Sequence, residues 1–351
     1  MRSRVATPRA LVVLALVVGA SVVVVLLTRG PDSRLAAAVE LAPEGTARMS
    51  WTDWTAVRRE VGTDVSADST AEEVRAFLDE AFEHDLSATT ALGSSAPVMQ
   101  AEYGVSPATL DWELFAQSEE GAVVVMGLGD LDPEGLGDRL EGLGYQRPGE
   151  SDGIWEGGVD LLPRIGEGLT PELQYAAILA DQGLLLTSDQ PGFLETALAA
   201  AGGEGATADG LDEVVGHSGD AVAGLVYSGA HACEKLAMGQ ADPDDQAEAE
   251  ALLSEAGEVH PMTAMAMSRQ PGGGVRVVMS FADEETARED AETRARLAAG
   301  PAPGQGGDFS ERFAVESAVA DGPAVVLDLA PREGQYVLSD VSSGPVLFAT
   351  C

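Results

Sequence analysis

The 351-residue chain is poor in basic residues, and above all in lysine. Lysine and arginine together number 20 against 58 aspartates and glutamates, which gives a formal net charge of −38, and the single lysine is Lys235. A surface of this kind repels phosphate backbones and anionic lipid headgroups, because both bind through clustered positive charge. The composition excludes nucleic acid as a partner and favours cations, basic proteins, or salt and water. Acidity this diffuse raises solubility and also fits adaptation to high salt.

Long uncharged runs are scarce, and the one at the amino end is long enough to span a membrane. Ala10–Leu27 has 18 residues without a charge and follows Arg2, Arg4 and Arg9. At 1.5 Å per residue it covers about 27 Å, close to the ~30 Å hydrocarbon thickness of a bilayer. Arginines before the span favour an inside amino terminus, which places the bulk of the chain outside the cytoplasm. The sequence predicts an uncleaved signal-anchor over residues 10–28.

Three alternatives to the anchor are weaker. A lipoprotein needs a cysteine at the end of the apolar run, and none stands there. A cleaved signal peptide usually has a core of about 7–15 residues followed closely by small residues, whereas Ala36–Ala38 lies well past this core. Cleavage there would leave a mature chain that begins at Val39. A buried core helix would rarely be rich in valine and leucine all round.

Cysteine is nearly absent, with only Cys233 and the terminal Cys351, both on the predicted outer side. Two thiols of one exported domain readily pair, so the sequence predicts a Cys233–Cys351 disulfide. Two unrelated thiols are the alternative, because a terminal residue is free to miss its partner.

Four hairpins dominate the predicted outer region. Alternating or apolar runs flank the turns 119–121, 181–183, 271–274 and 321–322, and helices with capping residues follow several of them. Strands joined in hairpins, with helices after them, favour an α+β fold with antiparallel sheets and helices on one face. The order of elements recurs, which predicts two similar halves. The predicted segments are a cytoplasmic terminus 1–9, the transmembrane helix 10–28, a tether 29–44, a first unit 45–203, a linker 204–218 and a second unit 219–351.

Motifs for catalysis or cofactor binding are weak. In Gly127-Leu-Gly129 the third glycine of a dinucleotide loop is replaced by Asp132, which would repel a pyrophosphate. His231-Ala-Cys233 lacks the repeated close spacing of a zinc site. No serine nucleophile elbow occurs, and scattered carboxylates leave a hydrolase possible but single out no residue. We therefore predict no cofactor, no metal site and no catalytic residue.

Two further clusters have ordinary structural explanations. An acidic run, Asp242–Glu250, lacks the order of a calcium loop and is typical of a solvated helix start. Four of the nine methionines lie in the hairpin around residues 262–279 and are typical of a half-buried core, although thioethers also suit an apolar groove or Cu(I).

Trp51-Thr52-Asp53-Trp54 is the most distinctive short stretch. Aligning the halves with Trp51 opposite Tyr227 predicts a strand end, an N-cap at Thr52 or Asp53, and a short helix. Trp54 then stands opposite the small Ala230. The sequence therefore leaves Trp54 either as a cover over helices or as an exposed contact anchor.

The basic start, the short anchor, the preference for arginine and the acidic, alanine- and glycine-rich outer region resemble the uncharacterised single-span exported proteins of high-GC Gram-positive bacteria. This resemblance implies no activity. Together these features favour a membrane-anchored extracytoplasmic protein that acts as a non-enzymatic interaction or scaffold module for an envelope protein. The alternatives are a carrier of an apolar ligand such as lipid, and an envelope hydrolase with an acidic site.

Overall fold

The computed structural model describes residues 33–351, which form an eleven-stranded antiparallel sheet covered by helices. Its strands are β1 (Arg48–Thr52), β2 (Trp112–Gln117), β3 (Ala122–Gly127), β4 (Trp155–Glu156), β5 (Tyr175–Leu179), β6 (Leu184–Ser188), β7 (Ala223–Ser228), β8 (Ala264–Arg269), β9 (Val275–Ser280), β10 (Phe313–Asp321) and β11 (Ala324–Pro331). Across the sheet their order is β10-β11-β9-β8-β7-β1-β2-β3-β6-β5-β4. The predicted α+β class with antiparallel pairing is confirmed.

Along the chain, the α-helices precede β1, connect the strands and follow β11. They are α1 (Arg34–Val39), α2 (Trp54–Val61), α3 (Ala71–Glu83), α4 (Ala96–Val98), α5 (Pro133–Leu143), α6 (Leu162–Ile165), α7 (Pro191–Ala201), α8 (Leu211–His217), α9 (Gly229–Lys235), α10 (Pro243–Ala256), α11 (Glu284–Leu297), α12 (Phe309–Arg312) and α13 (Val337–Ser342). A π-helical turn, Met99–Tyr103, continues α4. No helix within residues 33–351 is long and apolar enough to cross a membrane. The predicted anchor lies outside the described residues.

The four predicted hairpins are present as β2–β3, β5–β6, β8–β9 and β10–β11. Gly183 and Gly322 adopt positive φ at two of the turns, a conformation that glycine reaches without a steric cost. Apolar runs on either side of such turns were sufficient to locate these strands.

The sheet has an approximate internal two-fold arrangement. The order β1-β2-β3-β6-β5 in the first half recurs as β7-β8-β9-β11-β10 in the second. The two first strands, β1 and β7, pair antiparallel at the centre, with Met49 opposite Val226. Because these strands are hydrogen-bonded, the two halves share one continuous sheet.

Helices cover both faces of the sheet, so the prediction of helices on one face was wrong. All six residues of β3 are buried. Val124 and Met126 pack in the cluster that contains Leu136 and Leu140 of α5. Val123 and Val125 point to the opposite face and join the cluster that contains α1, α7 and α8. Alternate residues of a strand face opposite sides, so uninterrupted burial requires two covered faces.

Two predicted connections contain packed helices. The tether 29–44 includes α1, and the linker 204–218 includes α8. Leu35 of α1 and Leu211 of α8 are both buried in the cluster that also holds strand residues from both halves. These segments therefore contribute to the core that covers the second face of the sheet.

Candidate functional site

A wide cleft lies at the amino-terminal end of β1 and is here called the Arg48 cleft. Its volume is about 650 Å³, within the range of roughly 300–1,000 Å³ typical of ligand sites. Three stretches from both halves form it: the approach to β1, the β2–β3 turn and the start of α9. The lining residues are Glu44, Gly45, Ala47, Arg48, Gln117, Ser118, Glu119, Glu120, Ser228, Ala230, His231, Glu234 and Lys235.

A smaller cleft, here called the Arg34 cleft, lies at the carboxyl end of β1. Its volume is about 310 Å³. The lining residues are Ser33, Arg34, Leu35, Asp53, Thr55, Ala56, Arg59, Gly219, Asp220, Ala221, Val222 and Pro271. Arg34 Nη1 lies 3.2 Å from both carboxylate oxygens of Asp53, so the first described residues close one side of this cleft.

The internal two-fold arrangement relates the two clefts. The Asp53 side chain accepts from Ala56 N and caps α2, and the Ser228 side chain accepts from His231 N and caps α9. Each cap also donates its own N–H to the opposite half, Asp53 to Val222 O at 2.8 Å and Ser228 to Ala47 O at 2.9 Å. The two caps are therefore equivalent positions.

Aligning the caps pairs most of the lining residues of one cleft with those of the other. The equivalent pairs are Glu44 with Gly219, Gly45 with Asp220, Ala47 with Val222, Ser228 with Asp53, Ala230 with Thr55, His231 with Ala56, and Glu234 with Arg59. The β2–β3 turn of the Arg48 cleft corresponds to the β8–β9 turn, which supplies Pro271 to the Arg34 cleft. The Arg48 cleft is thus the enlarged counterpart of the Arg34 cleft.

The sequence alignment of Trp51 with Tyr227 was displaced by one residue. The equivalent caps place Trp51 opposite Val226, and both side chains pack on the second face of the sheet. Tyr227 points to the other face. A one-residue shift in a strand reverses the face of every side chain, so the hydrogen bonds decide the alignment.

The Arg48 and His231 side chains line the Arg48 cleft and stack on Tyr227 behind them. The guanidinium carbon of Arg48 lies 5.9 Å from the Tyr227 ring centroid, and the His231 ring stacks on Tyr227 at 5.8 Å. Burial, and secondly the Arg48 charge, lowers the pKa of His231, so its imidazole is neutral at pH 7. Arg48 Nε and Tyr227 Oη are buried without a hydrogen-bond partner among residues 33–351. Of these two atoms, only Arg48 Nε belongs to a residue that lines the cleft.

The mouth of the Arg48 cleft is acidic. Glu44, Glu119 and Glu120 are exposed, and none of them forms an ion pair with another residue of 33–351. Glu234 is paired with Lys235 at 2.6 Å, which uses the only lysine of the chain. With His231 neutral, the carboxylates of the lining outnumber its cations.

The disulfide Cys233–Cys351 stands beside this cleft. The Cα atoms are 5.6 Å apart and the cysteines are 118 positions apart in sequence, so the predicted pairing is confirmed. Cys233 belongs to α9, the helix that contributes His231, Glu234 and Lys235 to the lining. The bridge therefore ties one wall of the cleft to the carboxyl terminus.

Trp54 is fully buried and is not an exposed contact anchor in this structure. Its indole Nε1 donates to Glu113 Oε2 at 2.9 Å, and its ring meets Phe77 edge to face. Ala91 N donates to the other carboxylate oxygen of Glu113 at 2.9 Å. Burial raises the pKa of the Glu113 carboxyl to about 7. These groups form a closed internal cluster that fastens the loop around Ala91 to the sheet.

A second buried cluster holds the carboxyl-terminal segment. Asp290 and Arg294 are fully buried and paired at 2.8 Å. Arg294 also donates to Phe348 O at 2.9 Å, and His260 Nδ1 lies 2.5 Å from Asp290 Oδ2. The Asp290 hydrogen bond raises the pKa of His260. Each charge is satisfied within the cluster, so these groups are structural.

The remaining sequence candidates are dispersed. His84, His217 and His260 contact Glu80, Asp321 and Asp290 respectively, away from His231 in the Arg48 cleft. No group of three potential metal ligands occurs within the described part of the chain. Asp242 caps α10, and the methionines of the third hairpin, at positions 262, 265, 267 and 279, are core residues.

Sequence reasoning missed the Arg48 cleft because its walls come from segments far apart in the chain. Among its lining residues, sequence patterns single out Ala230, His231 and Lys235, and they assign no common site to them. Aligning the two halves on the helix caps Asp53 and Ser228 pairs most of the lining residues of the two clefts. The alignment of Trp51 with Tyr227 is displaced by one residue and does not pair them.

Comparisons with known proteins give no family. No family model matches the chain, and no curated protein matches it in sequence. One solved structure, titled "Structure of crystal form I of TP0453", is similar with a TM-score of 0.38 and 8% identity over 89% of this chain and 98% of that one. A TM-score of this size does not establish a common fold.

Proposed function

We propose that this protein is a membrane-anchored extracytoplasmic interaction module whose binding surface is the Arg48 cleft. The sequence supplies the anchor, residues 10–28, and the inside amino terminus. The disulfide supports the location, because such bonds form and persist in oxidising compartments outside the cytoplasm. The cleft supports the binding role, because it joins an open volume of about 650 Å³ to an arginine, Arg48, whose Nε has no hydrogen-bond partner among the described residues.

The Arg48 cleft lies at the opposite end of β1 from Ser33 and Arg34, a position suited to binding by a membrane-anchored protein. Ser33 and Arg34 lie at the carboxyl end of β1, where Arg34 pairs with Asp53. The Arg48 cleft lies at the other end of the same strand. A chain that leaves the bilayer shortly before Ser33 would therefore present this cleft away from the membrane surface.

The geometry favours binding over catalysis at this cleft. Its groups are a guanidinium, a neutral imidazole and several carboxylates, which supply hydrogen bonds and charge. Three carboxyls elsewhere are at most 4% exposed, Asp85, Glu113 and Asp290, and each is engaged in internal hydrogen bonds.

The apolar carrier is less well supported. The apolar cavity between α10 and α11, lined by Leu252, Leu297 and Leu347 among others, has a volume of about 260 Å³. This is below the range of ~300–1,000 Å³ that drug-sized ligands occupy, and a diacyl lipid is larger than such ligands.

Site-specific photo-cross-linking in the envelope of cells that produce the full chain tests the proposal. A photoreactive residue replaces Ala230, which is exposed in the cleft, and in a matched control it replaces Val159, which is 68% exposed and outside the cleft. We expect one discrete protein adduct from position 230 and not from position 159. The absence of an adduct at 230, or the same adducts at both positions, would contradict the proposal.

A topology test addresses the location separately. Protease added outside intact cells, after the wall is opened, should digest the region 33–351. Complete protection of that region would refute the extracytoplasmic location. A positive hydrolase screen that a single carboxylate substitution abolishes would instead favour an enzyme.

A further inference from the structure

The two equivalent clefts differ in one respect that indicates what the larger one binds. In the Arg34 cleft the residues at the start of α1, Ser33, Arg34 and Leu35, form part of the wall. The equivalent helix of the second half is α8, whose N-cap is Gly210. Gly210 packs against Thr263 and Ser280 and does not line the Arg48 cleft. The Arg48 cleft therefore lacks the segment that partly fills its counterpart.

The segment present in the Arg34 cleft carries a cation. Arg34 pairs with the cap carboxylate of Asp53 at 3.2 Å, and Asp220 also lines that cleft. In the Arg48 cleft the carboxylates lie at the mouth instead, at Glu44, Glu119 and Glu120. Both clefts thus offer acidic groups to a cationic side chain, and only the smaller one receives such a side chain from its own chain.

The Arg48 side chain, which lines the Arg48 cleft, offers a complementary donor. Its Nε atom is buried and has no hydrogen-bond partner among residues 33–351. A buried donor left without an acceptor costs about 1–3 kcal/mol, so an acceptor bound there would be stabilised. A peptide carbonyl, inserted with its segment, is an acceptor of the required size.

We propose that the Arg48 cleft docks a short cationic peptide segment of a partner protein, in the position that Ser33–Leu35 takes in the Arg34 cleft. An arginine or lysine of the segment pairs with Glu119, Glu120 or Glu44 at the mouth, and a backbone carbonyl accepts from Arg48. This inference rests on the proposed function, since it names the partner of the same cleft. The surplus of 58 acidic over 20 basic residues attracts such a segment from a distance.

Peptide binding to the purified full chain in detergent tests this inference. The probe is the acetylated and amidated peptide Gly-Ser-Arg-Leu-Ala-Gly, which reproduces the sequence of residues 33–36. Its matched control contains citrulline, a neutral isostere, in place of arginine. Titration calorimetry at fixed low salt should show about two- to fivefold weaker binding of the citrulline peptide, as expected for charge pairs at a protein surface.

Two double variants that each remove two negative charges distinguish binding at the cleft from general attraction to an acidic protein. Glu119→Gln combined with Glu120→Gln removes two carboxylates from the mouth. Glu248→Gln combined with Glu250→Gln removes two exposed carboxylates of α10 outside it. We expect the first variant to weaken binding of the arginine peptide about fivefold and the second to leave it within about 1.5-fold.

Arg48→Gln probes the Arg48 donor. It should weaken binding of the citrulline peptide, which presents the same backbone carbonyls, and weaken the arginine peptide less, because loss of the Arg48 charge also makes the cleft more attractive to a cation. Equal binding of both peptides to the unmodified protein, equal loss in both double variants, or preferred binding of an acidic peptide or of lipid vesicles would each overturn the inference. If a partner still cross-links to position 230 in any of these cases, the interaction function stands and only the cationic segment is wrong.

Discussion

Replacing both cysteines with serine is expected to lower stability without unfolding the protein. The Cys233–Cys351 bond closes a loop of 118 positions. In the chain-entropy model the bond restricts the unfolded chain, and a loop of this length corresponds to about 5 kcal/mol at 25 °C. The double substitution Cys233→Ser and Cys351→Ser removes this term and leaves no free thiol among the described residues.

The carboxyl terminus retains other contacts, so the native fold should persist. Val346 N donates to Leu236 O at 2.7 Å, and Arg294 donates to Phe348 O at 2.9 Å. Leu347 and Phe348 are buried in the core of the second half. None of these contacts depends on the sulfur atoms.

Differential scanning calorimetry measures the effect. At about 2.1 cal/mol/K per residue, a domain of the size of 33–351 has an unfolding entropy near 0.7 kcal/mol/K, so a loss of about 5 kcal/mol lowers Tm by about 7 °C. The far-ultraviolet circular dichroism of the folded state should not change. A Tm shift below about 1 °C would refute the entropic reasoning, and loss of the native spectrum would refute the claim that the terminus is held independently.

Three further changes have defined outcomes. Trp54→Phe leaves Glu113 without its indole donor and should cost about 1–3 kcal/mol in urea unfolding, whereas Trp112→Phe at a half-buried position should cost less. Folding raises the pKa of Glu113 to about 7, so the free energy of unfolding should fall as pH rises from about 4.5 to 7. Glu113→Gln should flatten that pH dependence. An unchanged slope would contradict the burial of Glu113 as a neutral acid. His260 has its pKa raised by Asp290, so the stability it adds is present below about pH 6.5 and is lost as pH rises through its folded pKa. The difference in urea midpoint between the wild type and His260→Gln should therefore shrink between pH 6 and pH 9, and a constant difference would disprove the linkage.

Local sequence signals were sufficient for the hairpins and for several of the helices that follow them. Turn residues bounded by apolar runs located eight strands, and capping residues indicated the helices after the hairpins. At the start of α3, the sequence from Ser69 to Glu73 offers two adjacent frames for a capping box, and Thr70 with Glu73 is the pair that forms it. Both frames have the required spacing, so the sequence alone cannot choose between them.

The covering of both sheet faces could have been predicted. Val123–Met126 and Leu184–Leu186 are uninterrupted apolar runs, which are typical of strands buried on two sides. The antiparallel hairpins favour the opposite prediction, because antiparallel sheets commonly expose one face to water.

The candidate site depended on tertiary contacts that the sequence does not encode locally. The Arg48 cleft joins the approach to β1, the β2–β3 turn and α9, and the last of these lies more than a hundred residues from the other two. Trp54 was ambiguous for the same reason, because its partner Glu113 is 59 positions away. The equivalent caps place Trp54 opposite Gly229, and a tryptophan opposite a glycine reveals a difference between the halves but not the hydrogen bond that the indole makes.

The antiparallel pairing of β1 with β7 has an evolutionary consequence. Two identical half-length chains joined edge to edge through their first strands would form a closed symmetric dimer with this same central pair. In such an ancestor both clefts must be the same, since one sequence encodes them. Fusion of the two copies into one chain removes that restriction. One cleft can then keep its own arginine arm as a permanent internal ligand, while the other loses the arm and becomes available to a different molecule.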